Sequence, residues 1–212
     1  KKYAISFEHG MKTSELEQIG TVGARNTGST LRFWPDEKYF DSVKISIPRL
    51  KHTLRAKAVL CPGLNVALTD RVANETESWL FREGLKDYLL ENLADYDKVP
   101  ESPFIGSHEG KEETVDWAVV WLPEGLDVIA ESYVNLIPTL QGGTHVNGFR
   151  SGLLSAIREF CEFRNLIPRN IKLSPDDIWS KCNYVLSVKM SDPQFSGQTK
   201  ERLSSRQSAA FV

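Results

Sequence analysis

Hydrophobic residues recur along the chain with two periods, and these periods separate strands from helices. Alternating or short continuous apolar runs predict strands, whereas apolar residues three and four positions apart predict helices. The predicted strands are residues 3–7, 31–34, 43–47, 114–122, 128–136, 171–173 and 184–190, with a hairpin at residues 64–81 and a loop at residues 96–110. The predicted helices are residues 48–60, 84–93 and 144–160, with two more that begin at Ser174 and near Lys200. This mixture predicts an α+β fold.

A glycine motif precedes the longest predicted helix. In Gln141-Gly142-Gly143-Thr144-His145 the glycines allow a tight turn from strand to helix, and Thr144 is expected to cap the helix. His145 is expected to make a structural hydrogen bond rather than to act in catalysis, because the sequence places no serine or second histidine to complete a triad. The helix carries one apolar stripe that is expected to pack in the core: Val146, Phe149, Leu153, Ile157 and Phe160.

The last long predicted strand leads into a polar loop. Asp192-Pro193 ends the strand, since proline lacks the backbone N–H that a strand ladder needs. Ser196-Gly197 lets the backbone turn before the tripeptide Gln198-Thr199-Lys200. A lysine at such a tip is a mobile cation that suits a phosphate. From the residues alone, a solvated loop is the commoner interpretation and a phosphate contact is the alternative.

The helix predicted at residues 48–60 has a basic face. Its members are Arg49, Lys51, His52, Arg55 and Lys57. One interpretation is a solvated helix face. The other is a wall facing DNA, and phosphate contacts of that kind are independent of DNA sequence and sensitive to salt.

Length and composition place the chain among ordinary globular proteins. It has 212 residues, of which 41% are hydrophobic and 25% charged, and its net charge of −2 argues against a protein that coats nucleic acid. Cys61, Cys161 and Cys182 are far apart in apolar surroundings, which favours reduced structural thiols. We expect neither a membrane span nor a signal peptide. The first residues alternate like the middle of a sheet, so we expect a segment of a longer protein.

Three segments, in order along the chain, resemble one family. They are NTGSTLRFWPD (residues 26–36), NLIPTLQGGTHVNGFRSGL (135–153) and DPQFSGQTKERLSSR (192–206), and they are similar to segments of the ATPase subunits of type IIA DNA topoisomerases. Three further segments, AKAVLCPGL, VDWAVVWLPEG and REFCEFRNLIPR, resemble the B subunit of topoisomerase IV more than gyrase B. A gyrase B fragment and a non-enzymatic nucleic-acid-binding module are the alternatives.

The resemblance implies two domains. Residues 1–36 correspond to the C-terminal strands of a GHKL ATPase domain, and residues 37–212 to a transducer domain. The family's transducer has a small sheet covered by helices on one side and a left-handed βαβ crossover. Crossovers of that hand are rare, so residue propensities alone do not predict it.

The resemblance also implies site residues. Lys200 matches the lysine that contacts the terminal phosphate of ATP and is the implied catalytic residue, and Gln198 is expected to support the same phosphate or its attacking water. Ser29 falls at the position of a threonine beside the adenine pocket, although here the neighbouring Thr30 carries the threonine. Hydroxyls in a turn before a strand are the alternative for Ser29. The residues expected to face DNA are Arg49, Lys51, Arg55 and Lys57.

For the full protein the resemblance implies an ATP-dependent type II DNA topoisomerase that relaxes and decatenates DNA. The implied cofactors are ATP and Mg²⁺, with the magnesium ligands outside this chain and no metal site within it. The implied partners are DNA, the A subunit of topoisomerase IV and a second B subunit, in an A2B2 heterotetramer in the cytoplasm without membrane contact. The segment alone is expected to be inactive, because the family's general base and lid precede residue 1.

Overall fold

The structure is a computed structural model that describes residues 1–124, 129–168 and 170–212. Gly125, in a predicted turn, and Val128, at the start of a predicted strand, lie outside the described residues. The chain forms two compact units, Lys1–Ile45 and Ser46–Val212. The predicted division falls earlier, between residues 36 and 37. Residues 43–47 do not form the predicted strand, and the second unit begins one residue before a helix that starts at Ile47.

The first unit contains two small antiparallel strand pairs. Strand β1 (Lys2–Ala4) pairs with β4 (Glu17–Gly20), and β2 (Phe7–Glu8) pairs with β3 (Met11–Lys12). The strand predicted at residues 31–34 is not formed, and the indole of Trp34 is 77% exposed. An apolar pattern forms a strand only where a neighbouring strand completes its hydrogen bonds. The described part of this unit supplies no such neighbour to residues 31–34.

A five-stranded sheet is the centre of the second unit. Its strands are β7 (Val99–Glu109), β8 (Glu113–Trp121), β9 (Ala130–Val134), β10 (Ile137–Pro138) and β11 (Cys182–Met190), in the order β10-β9-β11-β8-β7. Strand β11 is antiparallel to β8 and parallel to β9, and every residue of β11 except Lys189 is buried. The predicted strands at residues 114–122 and 184–190 are therefore confirmed.

Helices pack on both faces of this sheet, which corrects the expected cover on one side. Helices α1 (Ile47–Leu60) and α2 (Leu85–Asn92) share a core with Val185, whereas α3 (Thr144–Phe163) and α4 (Pro175–Trp179) share a second core with Leu186. Adjacent residues of a strand point to opposite faces, so a central strand without polar alternation needs cover on both. The hairpin of β5 (Val66–Asp70) and β6 (Glu75–Trp79) completes the first layer.

The segment predicted as a loop at residues 96–110 is largely the edge strand β7. Its prolines, Pro100 and Pro103, indicated a loop because proline cannot donate to a ladder. An edge strand needs hydrogen bonds on one side only, and the pairing with β8 is irregular between Val99 and Phe104, where both prolines lie.

Two other predicted elements are absent from the described residues, and one connection is as expected. Residues 171–173 form no strand, and residues 200–206 form no helix; helix α5 (Gln207–Phe211) begins later. Strands β9 and β11 are parallel neighbours joined through α3, which confirms the crossover connection, while its hand stays a prediction. The three cysteines are unpaired, as expected. None of the described helices has the length and hydropathy needed to cross a bilayer.

Candidate functional site

The loop after β11 has a narrow base and an open tip. We call residues 191–204 the lysine loop. Its two limbs meet in an isolated antiparallel bridge between Phe195 and Leu203, and Ser196 N–H donates to the Arg202 carbonyl at 3.0 Å. The base is therefore held by backbone hydrogen bonds, while the residues between the limbs project beyond it.

The tip presents an unpaired cation. Gln198, Thr199 and Lys200 are all exposed, and Lys200 N–H closes a turn onto the Gly197 carbonyl at 3.3 Å. The backbone of Lys200 has φ +57°, in the left-handed region. Its ammonium lies 5.9 Å from the centre of the Phe195 ring, and within the described residues no carboxylate forms an ion pair with it. The side chain is free to bind an anion.

The glycine motif before α3 binds the outgoing limb of the lysine loop. Gln141 N–H donates to the Glu201 carbonyl at 2.9 Å, and the Gln141 amide Nε2 donates to the Glu201 carboxylate at 2.8 Å. Leu203 N–H donates to the Gly142 carbonyl at 3.0 Å, and Thr144 N–H to the Leu203 carbonyl at 3.1 Å. The glycine motif and the lysine loop, which lie far apart in the sequence, are thus joined by hydrogen bonds.

Gly143 allows this close approach of two backbones. A Cβ built on Gly143 would lie 2.3 Å from the Leu203 carbonyl oxygen and 2.6 Å from its nitrogen, and Gly143 has φ +138°. Only glycine combines that φ with that space. Gly143 also occupies the N-cap of α3, so the expected cap by Thr144 is wrong. The Thr144 hydroxyl donates instead to the Ser205 carbonyl at 2.6 Å, just beyond the lysine loop.

His145 is a structural residue, as predicted. Its side chain is fully buried, and Nε2 lies 3.1 Å from the Thr139 hydroxyl. Burial lowers the pKa of His145 to about 4, because the charged imidazolium loses its hydration. The ring is therefore neutral at pH 7 and holds the start of α3 against the β9–α3 connection, residues 135–143, which includes β10.

The end of β11, which leads into the lysine loop, is held by Asn135, a residue that the sequence analysis did not single out. Asn135 N–H donates to the Val188 carbonyl at 2.9 Å, and its side-chain amide bonds both backbone groups of Met190, at 2.8 and 2.9 Å. Asn135 has φ +48°, a conformation that asparagine tolerates better than most residues. An asparagine between two apolar runs was the available signal for such a turn.

Two of the predicted DNA-facing cations have carboxylate partners. The Lys51 ammonium bonds the Glu77 carboxylate, and this hydrogen bond raises the pKa of Lys51. The Arg55 guanidinium lies 3.1 Å from the Glu91 carboxylate and 5.4 Å from the centre of the Tyr88 ring. These contacts connect α1 to β6 and α2, and they leave little free charge at the two positions.

The other two cations of this face differ from each other. The Lys57 ammonium donates to the Leu136 carbonyl in the connection between β9 and α3. Arg49 is exposed, and its guanidinium has no hydrogen bond or ion pair within the described ranges. The face is thus an interrupted basic surface, and its contact with DNA stays a prediction.

Ser29 belongs to the first unit. It is exposed, in a segment without regular secondary structure, and its hydroxyl makes no hydrogen bond to any described residue. Its role beside an adenine base stays a prediction. No group of three or more histidine, cysteine or acidic side chains that could hold a metal occurs in the part of the chain that the structure describes.

The similarity of this chain to known proteins shows the family to which it belongs. A family model described as DNA gyrase B matches residues 84–212, which include the glycine motif and the lysine loop. The chain belongs to this DNA gyrase B family.

Within the family, the chain is 60% identical to the B subunit of DNA topoisomerase 4 from Salmonella typhimurium and 61% identical to that from Haemophilus influenzae; each match covers 99% of this chain and 33% of the relative. Identity to the B subunit of DNA gyrase from Helicobacter pylori is 31%, over 99% of this chain and 27% of that protein. The chain thus spans about a third of the length of the curated relatives it matches. The predicted resemblance to topoisomerase IV B subunits is confirmed.

Solved structures show the same fold. The topoisomerase IV ATP-binding domain of Francisella tularensis, in complex with a small-molecule inhibitor, is similar with a TM-score of 0.82 and 42% identity, over 99% of this chain and 56% of that chain. The 43K ATPase domain of Thermus thermophilus gyrase B, in complex with an aminocoumarin, has a TM-score of 0.80 and 25% identity, over 98% of this chain and 56% of that chain.

Proposed function

We propose that this chain is part of the ATP-hydrolysing subunit of a topoisomerase IV, which passes one DNA duplex through another and so relaxes and decatenates DNA. Residues 1–36 are the end of its GHKL ATPase domain and residues 37–212 its transducer domain. The observation that carries the proposal is the lysine loop, which presents an unpaired Lys200 between the end of β11, held by Asn135, and an outgoing limb held by Gln141. The relatives at 60% and 61% identity support topoisomerase IV over gyrase.

The lysine loop couples nucleotide state to the position of the transducer. When ATP is bound, it supplies an anionic terminal phosphate. The Lys200 ammonium contacts that phosphate, and Gln198 supports the phosphate or the attacking water. A charge-assisted hydrogen bond of this kind is worth about 1.5–3 kcal/mol. A difference of that size between the ATP and ADP states is enough to bias two arrangements of the domains.

In our proposal the nucleotide site extends beyond the lysine loop. Ser29 stands near the adenine, and Mg²⁺ is held by residues beyond this segment. The complete protein works in the cytoplasm as a homodimer of B subunits that binds DNA and the A subunit of topoisomerase IV, in an A2B2 heterotetramer.

The purified 212-residue chain should not hydrolyse ATP, because one loop lysine does not replace a nucleotide pocket. The complete protein, mixed with supercoiled DNA and the A subunit, should hydrolyse ATP and relax the DNA. Two measurements test the proposal: phosphate release by both samples, with a mock purification as the contamination control, and the supercoiling of the DNA after incubation with the complete protein. Turnover by the short chain above that control, or a complete protein that hydrolyses ATP but leaves DNA supercoiled, would contradict it.

Neutralising the basic face should weaken stimulation by DNA. We expect the fourfold change of Arg49, Lys51, Arg55 and Lys57 to glutamine to lower the ratio of ATP turnover with DNA to turnover without it. It should also flatten the salt dependence of that ratio, since phosphate contacts release counterions. Arg82→Gln is the matched control, because Arg82 is an exposed cation outside α1. If the fourfold variant and Arg82→Gln give the same salt dependence, the face does not contact DNA.

A further inference from the structure

One continuous segment contacts the chain on both sides of Lys200, at the end of β11 and on the outgoing limb of the lysine loop. This segment is the β9–α3 connection, residues 135–143. At its start, Asn135 bonds Val188 and Met190 before the loop; at its end, Gln141 bonds the residues that follow Lys200. The connection therefore fixes the chain just before the lysine loop and just after Lys200.

Gln141 makes several contacts with the lysine loop that are not needed to pack the hydrophobic core. Its N–H and its side-chain amide both bond Glu201, at 2.9 and 2.8 Å, and its carbonyl accepts from the Arg202 guanidinium at 3.3 Å. Gln141 is exposed, so these bonds do not serve to bury apolar surface. They fix the two residues that come directly after Lys200.

The bond to the Glu201 carboxylate has an electrostatic consequence. A carboxylate next to Lys200 is a potential ion-pair partner for its ammonium, and it repels an approaching phosphate. The Gln141 amide occupies one oxygen of this carboxylate at 2.8 Å. The Glu201 carboxylate is thereby held beside the β9–α3 connection and away from the loop tip.

We propose that Gln141 is a positioning residue for Lys200. It holds Glu201 so that the lysine stays unpaired and projects from the loop toward the terminal phosphate of the nucleotide. This inference rests on the function proposed above, in which Lys200 meets that phosphate.

A charge swap across this pair tests the inference in the complete protein, in its complex with the A subunit. Gln141→Glu places two carboxylates together and should lower kcat for ATP about tenfold, with the KM for ATP within about twofold of wild type. Glu201→Gln keeps an amide that can accept the bond and should remain within about threefold of wild type. The double variant Q141E/E201Q restores a carboxylate–amide pair and should recover most of the lost kcat.

Hydrogen exchange gives a readout that does not depend on turnover. The backbone amides of residues 201–205 should lose protection in Gln141→Glu and regain it in the double variant, measured by mass spectrometry without nucleotide. A general loss of protection across the sheet would mark unfolding instead. In that case the double variant Q141A/E201Q, in which neither side chain is charged, replaces Gln141→Glu in the comparison.

The outcomes separate the two proposals. If Lys200→Ala, run in parallel, leaves turnover unchanged, the proposed function itself fails. If Lys200→Ala lowers turnover while Gln141→Glu does not, the function stands and the positioning role of Gln141 is wrong. A kcat that stays low in the double variant, with protection restored, also overturns the positioning role.

Discussion

Lys200→Ala is expected to lower the ATP turnover of the complete protein, in its complex with the A subunit, about hundredfold, with a much smaller change in the KM for ATP. The ammonium contacts charge that grows on the phosphoryl group during transfer, so its loss affects the transition state more than the ground state. A transition-state interaction of about 3 kcal/mol corresponds to a rate factor on the order of a hundred. Steady-state phosphate release over a range of ATP concentrations separates the two constants.

Thr199→Ala is the matched control for this prediction. Thr199 is an exposed neighbour on the same loop, and no described hydrogen bond involves its side chain. Its removal should change turnover less than about threefold. Lys200→Ala should fold normally, because its exposed side chain contributes nothing to either core. Equal turnover for Lys200→Ala and Thr199→Ala would show that Lys200 is an ordinary surface residue.

Gly143→Ala is expected to damage both stability and turnover. The added methyl group would lie 2.3 Å from the backbone oxygen of Leu203, a residue that is 1% exposed, so neither side can move without breaking hydrogen bonds. The φ of +138° adds strain for any residue with a Cβ. We expect the free energy of unfolding to fall by about 2–4 kcal/mol. The folded fraction should also turn over ATP at least about tenfold more slowly, because the outgoing limb of the lysine loop must shift.

Gly152→Ala provides the comparison on the same helix. The nearest atom to its added Cβ is the Val212 carbonyl oxygen at 3.8 Å, an ordinary contact, and its φ lies outside the left-handed region. Gly152 is an exposed glycine within a helix, so its replacement by alanine should raise the free energy of unfolding by about 0.5–1 kcal/mol. Urea unfolding of both variants, followed by ATP turnover at equal folded concentration, gives the two quantities. Gly143→Ala with the stability of wild type would contradict the packing of the glycine motif against Leu203.

The elements that the sequence predicted well place their apolar residues in one of the two cores. The stripe of α3 begins with Val146 and Phe149, both buried, and the apolar run at residues 184–190 predicted a strand that lies within β11. At the far end of α3 the prediction was too generous, since Phe160 is 54% exposed. Periodicity reports which face of an element is apolar, and the surrounding elements decide how far that face is covered.

The elements that were missed depend on residues distant in the sequence. Strand β7 contains Pro100 and Pro103 and forms because β8 completes one side of it. Residues 31–34 have a strand pattern without a paired neighbour in the described chain. Residues 200–206 have helix-forming side chains, yet Leu203 is taken up in bridges to Phe195 and Gly143. In each case the presence or absence of tertiary hydrogen bonds decides against the local propensity.

The candidate site was likewise predictable from the sequence only in part. The lysine at the loop tip could be found from the sequence, but its residues alone favoured a solvated loop, and the phosphate role came from family resemblance. The contacts that hold the tip were not predictable, because the side-chain pair of Gln141 and Glu201 spans 60 positions. An exposed glutamine carries no periodicity signal, so only the fold reveals its partner.

The measurement that tests the central claim most directly is a single-turnover assay of ATP hydrolysis by the complete protein in its complex with the A subunit. Enzyme in excess over ATP reports the phosphoryl-transfer step apart from product release. Our account predicts a rate about hundredfold lower for Lys200→Ala and a rate near wild type for Thr199→Ala. A Lys200→Ala enzyme that is folded, binds ATP and hydrolyses it in a single turnover at the wild-type rate would contradict the account.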